Sequence, residues 1–145
     1  KKEINEDDIE RYIGISKEYN VFELQEALSN KNLAKAITII QYFEGNPKAA
    51  PIQMLLPALY NHFSKVLTVF EMVDKSEKAL RPMFYNNPYA ARQALETVLN
   101  YSYSGVEQTL MLLHEYNLKS VGINSIGVSD ASLMKELAVK IINHT

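Results

Sequence analysis

The sequence predicts an all-α fold: a helical bundle of about seven helices around a long central helix. Three observations carry that prediction. Ile52, Leu56, Leu59, Phe63, Val66, Phe70 and Val73 follow one another at spacings of four, three, four, three, four and three, the period of a single helix face. Cap residues and Gly, Pro or Asn breaks recur between shorter apolar-periodic stretches. Only residues 120–129 alternate as strands do, with Val121/Ile123 and Ile126/Val128 about Asn124-Ser125. Gly122 and Gly127 interrupt them, and two short strands alone are marginal, so an ordered loop is expected there.

Taken in order, Asn5 caps a short helix over residues 6–13. Glu6, Asp7 and Asp8 occupy its first turn, where the helix dipole favours acids, and Gly14 ends it. Residues 16–20 form a polar connector. Val21, Leu24 and Leu28 share a face of the second helix, with Phe22 beside them, until Ser29-Asn30-Lys31 breaks it. Asn32 caps a third helix with Leu33, Ala36, Ile37, Ile40 and Phe43 inward, and Gly45-Asn46-Pro47 stops it.

The long helix covers residues 51–73, and Pro51 is tolerated in its first turn. At about 1.5 Å per residue it spans roughly 35 Å. Leu55 and Leu67 widen its stripe. Pro57 lies inside the pattern, removes a backbone donor and crowds the preceding turn, which predicts a kink or restart near residues 53–56. Residues 74–81 are a charged segment in which Ser76 caps one further turn, and residues 82–87 form a loop.

Asn87-Pro88 is a cap followed by proline at the first helical position, and the helix beyond places Ala91, Ala94, Leu95 and Val98 on one face. Ser104 with Glu107 forms a capping box for a helix with Val106, Leu110 and Leu113 inward. Ser129 or Asp130 caps the last helix, with Leu133, Met134, Leu137 and Ile141 inward. The core expected from these patterns centres on Phe22, Leu56, Leu59, Phe63, Val66 and Phe70.

The totals bound the function. A chain of 145 residues makes one domain, or one domain with a remnant of another. Hydrophobic residues at 47% and charged residues at 22% are enough for a packed core. A net charge of −2 and a pI near 5.9 give no global attraction to nucleic acid or anionic lipid. The absence of cysteine rules out a disulfide framework and thiolate metal sites, and a reducing, cytoplasmic setting is expected. No apolar run approaches the ~20 residues of a membrane span, and no signal peptide opens the chain, so no membrane partner is expected. The first methionine is Met54, so the chain is expected to be a piece of a longer protein.

No stretch carries recognisable catalytic chemistry. The three histidines, His62, His114 and His144, have neither i, i+4 nor H-E-x-x-H spacing, and His62 is expected on the flank of the long helix. There is no phosphate-cradling glycine loop, no G-x-S-x-G and no S-x-x-K. The acids sit at helix starts or on polar faces, so no carboxylate pair is expected to act as acid and base. The basic groups Lys31/Lys35 and Lys75/Lys78/Arg81 lack interleaved stacking rings. No catalytic residue, cofactor or metal is therefore expected. Aromatics are the informative class: there are nine tyrosines and no tryptophan. Tyr85 and Tyr89 straddle the Asn86-Asn87-Pro88 turn, and Tyr101 and Tyr103 flank Ser102 at a helix-to-helix corner. Amphipathic tyrosines at such turns make a candidate partner surface, to which Glu115 and Lys119 are added as an i, i+4 pair.

Three stretches together resemble one family. They are Tyr19-Asn20-Val21-Phe22-Glu23-Leu24-Gln25-Glu26-Ala27-Leu28 with residues 36–40; the Leu-rich run 55–69 with Phe63 near its middle; and Asn87-Pro88-Tyr89 continuing through residues 110–115 to Lys119-Ser120. In this order they resemble the C-terminal region of the delta-subunit family of bacterial DNA polymerase III, part of the sliding-clamp loader, over residues 8–142. Glu115 stands where that family often carries Asp. The resemblance implies that residues 1–18 are a remnant of a small helical lid domain and that residues 19–145 are a helical collar domain. It implies a non-catalytic role in DNA replication: the collar would assemble with gamma/tau- and delta-prime-type subunits. A missing AAA+-like N-terminal domain would touch the sliding clamp, and DNA would be met only indirectly. The alternative from the residues alone is a stand-alone regulatory helical domain that homodimerises through the long helix.

Overall fold

The computed structural model describes residues 18–122 and 129–145. The helix expected after Asn5, the lid remnant and most of the loop expected at residues 121–128 lie outside the described residues. Within them all regular structure is helical: α1 (Val21–Ser29), α2 (Leu33–Gly45), α3 (Ile52–Glu71), α4 (Glu77–Leu80), a 3-10 turn (Arg81–Phe84), α5 (Pro88–Asn100), α6 (Tyr103–Ser120) and α7 (Asp130–His144). The class is all-α.

The helix starts follow local chemistry. Asn20, Asn32, Ser76, Asn87 and Ser129 each accept a backbone N–H of the first turn through the side chain, which satisfies donors that a helix N-terminus otherwise leaves open. One start differs from the capping box expected at Ser104. Ser102 Oγ accepts from Gly105 N at 2.9 Å, so α6 begins at Tyr103. That start buries Gly105, Val106, Thr109 and Leu113 and leaves Ser104 exposed.

The end of α1 is as specific. Lys31 N–H bonds Leu28 O at 3.1 Å and Asn32 N–H bonds Ala27 O at 2.8 Å, with Lys31 left-handed at φ 54. This is a Schellman ending with lysine where glycine is usual. Asn32 then caps α2 directly.

Helix α3 is one continuous element through Pro57, with no restart. Proline costs one hydrogen bond, to Gln53 O, and both residues lie on the exposed side, where water can take up that carbonyl. The main partner of α3 is α6, followed by α5. α3 and α6 run antiparallel: Phe70 meets Tyr103 near one end, while Leu56 shares a groove with Leu113 and Asn117 at the other. Helices α2 and α7 pair with each other, and α7 with α6, rather than both lying along α3 as the sequence suggested.

The core is centred on Leu56, Leu59, Phe63 and Val66, all essentially without exposed surface. Four expectations are corrected. Phe70 is only half-buried and Val69 takes the inner place. Val73 lies beyond the helix end and is fully exposed. A strict seven-residue repeat drifts by roughly 20° per heptad on a straight helix, so the buried face leaves that row toward the C-terminus. Phe22 is half-buried at the surface of α1, whose core residues are Leu24, Ala27 and Leu28. In α2, Ile39 rather than Ile37 is fully buried.

Phe63 is 0% exposed and packs edge-to-face on Tyr101 at 5.6 Å and on His62 at 5.1 Å. Phe63→Ala is expected to lower stability by about 3–5 kcal/mol, whereas Phe22→Ala costs less than about 1.5 kcal/mol; urea denaturation followed by circular dichroism of both variants checks the contrast.

Candidate functional site

The sequence-nominated surface residues fall into three separate places. Tyr101 is not on the surface. It is 4% exposed, its hydroxyl donates to Leu28 O at 2.5 Å, and burial pushes its phenol well above the ordinary value. The reason is the break between α5 and α6, which turns its ring inward onto Phe63 while the hydroxyl finds a carbonyl at the end of α1. Lys31 Nζ covers the other side at 4.4 Å from the ring centre and donates to Thr145 O at 3.1 Å. Tyr103 is partly exposed, packs on Phe70 at 5.8 Å and reaches Glu71 Oε1 at 3.5 Å, so it ties the start of α6 to the end of α3.

Glu115 and Lys119 form the expected pair at 3.4 Å. Lys119 also approaches Glu136 at 3.9 Å and lies over the Tyr116 ring at 4.5 Å. Tyr116 donates to Glu136 Oε1 at 2.5 Å, which holds that carboxyl below its usual range, and Lys140 closes the group at 3.4 Å from the same oxygen. Lys119 is thus engaged in a network that joins α6 to α7. Exposed pairs of this kind are worth a few tenths of a kcal/mol each.

Tyr85 and Tyr89 are the nominated tyrosines that face furthest outward. They are 89% and 64% exposed. Tyr85 and Asn86 are both left-handed, at φ 54 and φ 60, an arrangement that costs on the order of 1 kcal/mol or more per non-glycine residue. Lys65 Nζ sits 4.8 Å from the Tyr85 ring centre, and the Arg92 guanidinium 4.8 Å from that of Tyr89. Phe22 is the ridge between two depressions here. One runs along α5 past Tyr89, Leu95 and Leu99. The other, of about 200 Å³, lies between α1, α3 and the 3-10 turn. With Leu99 84% exposed, Tyr85, Phe22, Tyr89 and Leu99 form a row on this face, with Glu26, Arg92 and Glu96 set among them.

Beneath that row runs a buried polar seam that the sequence reading missed. His62, expected on a flank, is 3% exposed. Its Nε2 lies 3.1 Å from both Ser29 Oγ of α1 and Thr97 Oγ1 of α5. Thr97 gives its own hydrogen to Gln93 O at 2.8 Å, so toward the imidazole it can only accept. His62 Nδ1, on the other side of the ring, is buried without a hydrogen-bond partner among the described residues. Gln93 extends the seam, accepting from Gln25 Nε2 at 2.7 Å and donating to Phe22 O at 3.2 Å. The sequence did hold a signal. His62 stands three residues after Leu59 and four before Val66, inside the stripe, and Gln93, Thr97 and Tyr101 recur every four residues.

Among the described residues no three His, Asp or Glu side chains gather as metal ligands, and no helix is long and apolar enough to cross a membrane. No known protein family, no curated protein and no solved structure matches the chain.

Burial, and then the nearby Lys65 charge, pushes the His62 pKa from 6.5 down to about 3. The unfolded chain binds a proton there below its ordinary value while the folded chain does not. The stabilisation is complete above pH ~6.5 and is lost as pH falls toward 3, at up to about 1.4 kcal/mol per pH unit. Urea midpoints at pH 7.5, 6.0 and 5.0 should therefore decline, and His62→Gln should flatten that decline even where it lowers the stability at pH 7.5.

Proposed function

We propose that this chain is a non-catalytic assembly module, the collar domain of a bacterial clamp-loader delta subunit. The observation that carries an assembly role is the placing of exposed Tyr85, Tyr89 and Leu99 around half-buried Phe22 on one face above a closed core. Large apolar side chains left together on one face mark a partner surface, and aromatic residues flanked by Arg are the usual anchors of such contacts. The all-α fold agrees with a helical collar. The finer identity rests on the sequence resemblance, and with it the DNA replication role, the gamma/tau- and delta-prime-type partners, and the contact with the sliding clamp through an N-terminal domain.

The alternative of a homodimer zipped along the long helix has little to rest on. Its motivating stripe is used within the molecule, where Leu59, Phe63 and Val66 are 0% exposed.

The full-length protein mixed with gamma/tau- and delta-prime-type subunits should co-elute with them in size-exclusion chromatography. Tyr89→Ala and Leu99→Ser together should weaken that assembly tenfold or more while leaving the circular dichroism unchanged. Failure of the unmodified protein to co-elute removes the clamp-loader reading; co-elution that ignores the two substitutions moves the interface off this face.

A further inference from the structure

We propose that the groove between α3 and α6 binds an uncharged heteroaromatic ring whose edge carries a donor and an acceptor side by side, as a free nucleobase or a nucleoside does. The groove holds about 490 Å³, within the roughly 300–1,000 Å³ usual for small-molecule sites. Leu56, Pro57 and Leu113 supply its apolar surface. Tyr60, Asn61, Ser64, His114 and Asn117 supply its polar groups. Among the described residues no Asp, Glu, Lys or Arg lines it.

These polar residues are unusual for where they stand. Asn61 and Ser64 lie in the middle of α3, and His114 and Asn117 in the body of α6. Asparagine and serine are poor helix-interior residues, because their short polar side chains compete for backbone groups. Elsewhere in the molecule such side chains have structural roles. Asn20, Asn32 and Asn87 cap helices, and Thr38, Thr97 and Thr109 each donate to the carbonyl four residues back. Ser64 makes no such bond, and none of the five polar side chains of the groove has a hydrogen-bond partner among the described residues. Asn61 and Asn117 thus disfavour their own helices with no compensating contact among those residues.

The arrangement selects the ligand. Leu56 and Leu113, 2% and 1% exposed, make the floor. Polar groups stand on two helices, Tyr60, Asn61 and Ser64 on α3 and His114 and Asn117 on α6. A molecule laid in the groove meets carbon beneath and hydrogen-bonding groups on two sides. A carboxamide offers a donor and an acceptor next to each other, the pattern that adenine and cytosine carry on their edges. The flat face of a base suits the leucine floor, and the Tyr60 ring, 45% exposed, is available for stacking at the rim. A charged ligand would lose hydration here and gain no counter-ion. The occupant is therefore a free base or nucleoside rather than a nucleotide or a nucleic-acid strand. The groove shares no residue with the depression past Tyr89 and Leu99, so it does not depend on which assembly the chain joins.

Adenosine and cytidine are the probes, titrated into the 145-residue chain and followed by proton–nitrogen correlation NMR. Binding should show a Kd below about 1 mM and shift the side-chain amide signals of Asn61 and Asn117. Adenosine monophosphate should bind no tighter than adenosine, and adenosine affinity should hold constant between about 50 and about 300 mM salt. Asn61→Leu and Asn117→Leu should each weaken adenosine binding tenfold or more. Both should keep or raise the melting temperature, since leucine is the better helix former; a merely structural asparagine would lower it on replacement. Asn143→Leu, exposed on α7 and outside the groove, should leave binding unchanged. Binding of one nucleoside assigns the groove to purines or to pyrimidines, and binding of both assigns it to bases in general; each supports the proposal. No binding of either nucleoside at several millimolar overturns it, as does glucose binding as tightly, tighter binding of the monophosphate, or undiminished binding by both asparagine variants. Should a variant not fold, the amide shifts and the monophosphate comparison decide the matter.

Discussion

Tyr101 is the joint on which the packing depends. Its ring meets Phe63 of α3, its hydroxyl holds Leu28 O at the end of α1, and Lys31 covers its outer side. A buried phenol needs a polar partner, and the last carbonyls of a helix need donors. The phenol finds its partner in Leu28 O, which Lys31 N–H already bonds from the chain reversal. Because Tyr101 also lies between the end of α5 and the start of α6, its position sets four helices relative to one another.

Beside that joint, the polar seam acts on register. Ser29, His62, Thr97, Gln93 and Gln25 come from three helices and meet at hydrogen-bond distances. Apolar side chains tolerate sliding, since a displaced leucine finds other carbon atoms. Buried hydroxyl, amide and imidazole groups do not, because one turn of displacement, about 5.4 Å, strands each of them. The seam therefore fixes α5 against α1 and α3. It also fixes the outer row of Phe22 and Tyr89, which ride on the same helices. The surface geometry is inherited from polar contacts beneath it rather than from the surface residues themselves.

Much of this fold was legible from the sequence because it is local. Four of the five buried residues of α7, all but Ala138, were identified, and Asn87-Pro88 opens α5 as its chemistry requires. The expected middle of α3 is the observed core. What stayed hidden depends on partners far along the chain. Tyr101 is bonded to a carbonyl 73 residues away, and His62 to a hydroxyl 35 residues away; periodicity places both on an inner face but names neither partner. Ser102 and Ser104 are both reasonable caps, and only the burial of Gly105 against the rest of the molecule decides between them. The candidate surface was half legible. Exposed Tyr85 and Tyr89 follow from a turn visible in the sequence, whereas Phe22 looked like core because its neighbours are apolar.

The junction of α1 and α2 has a further consequence, for evolution rather than for stability. Asn32 completes the ending of α1 and caps α2 in the same residue, so the connection carries no spare length. A residue inserted there would rotate the apolar face of α2 by about 100°, a full misfacing of Ala36, Ile39, Ile40 and Phe43. Loops elsewhere on such a bundle can lengthen and shorten as lineages diverge. This corner cannot, and it should stand as a point of constant spacing in any related chain.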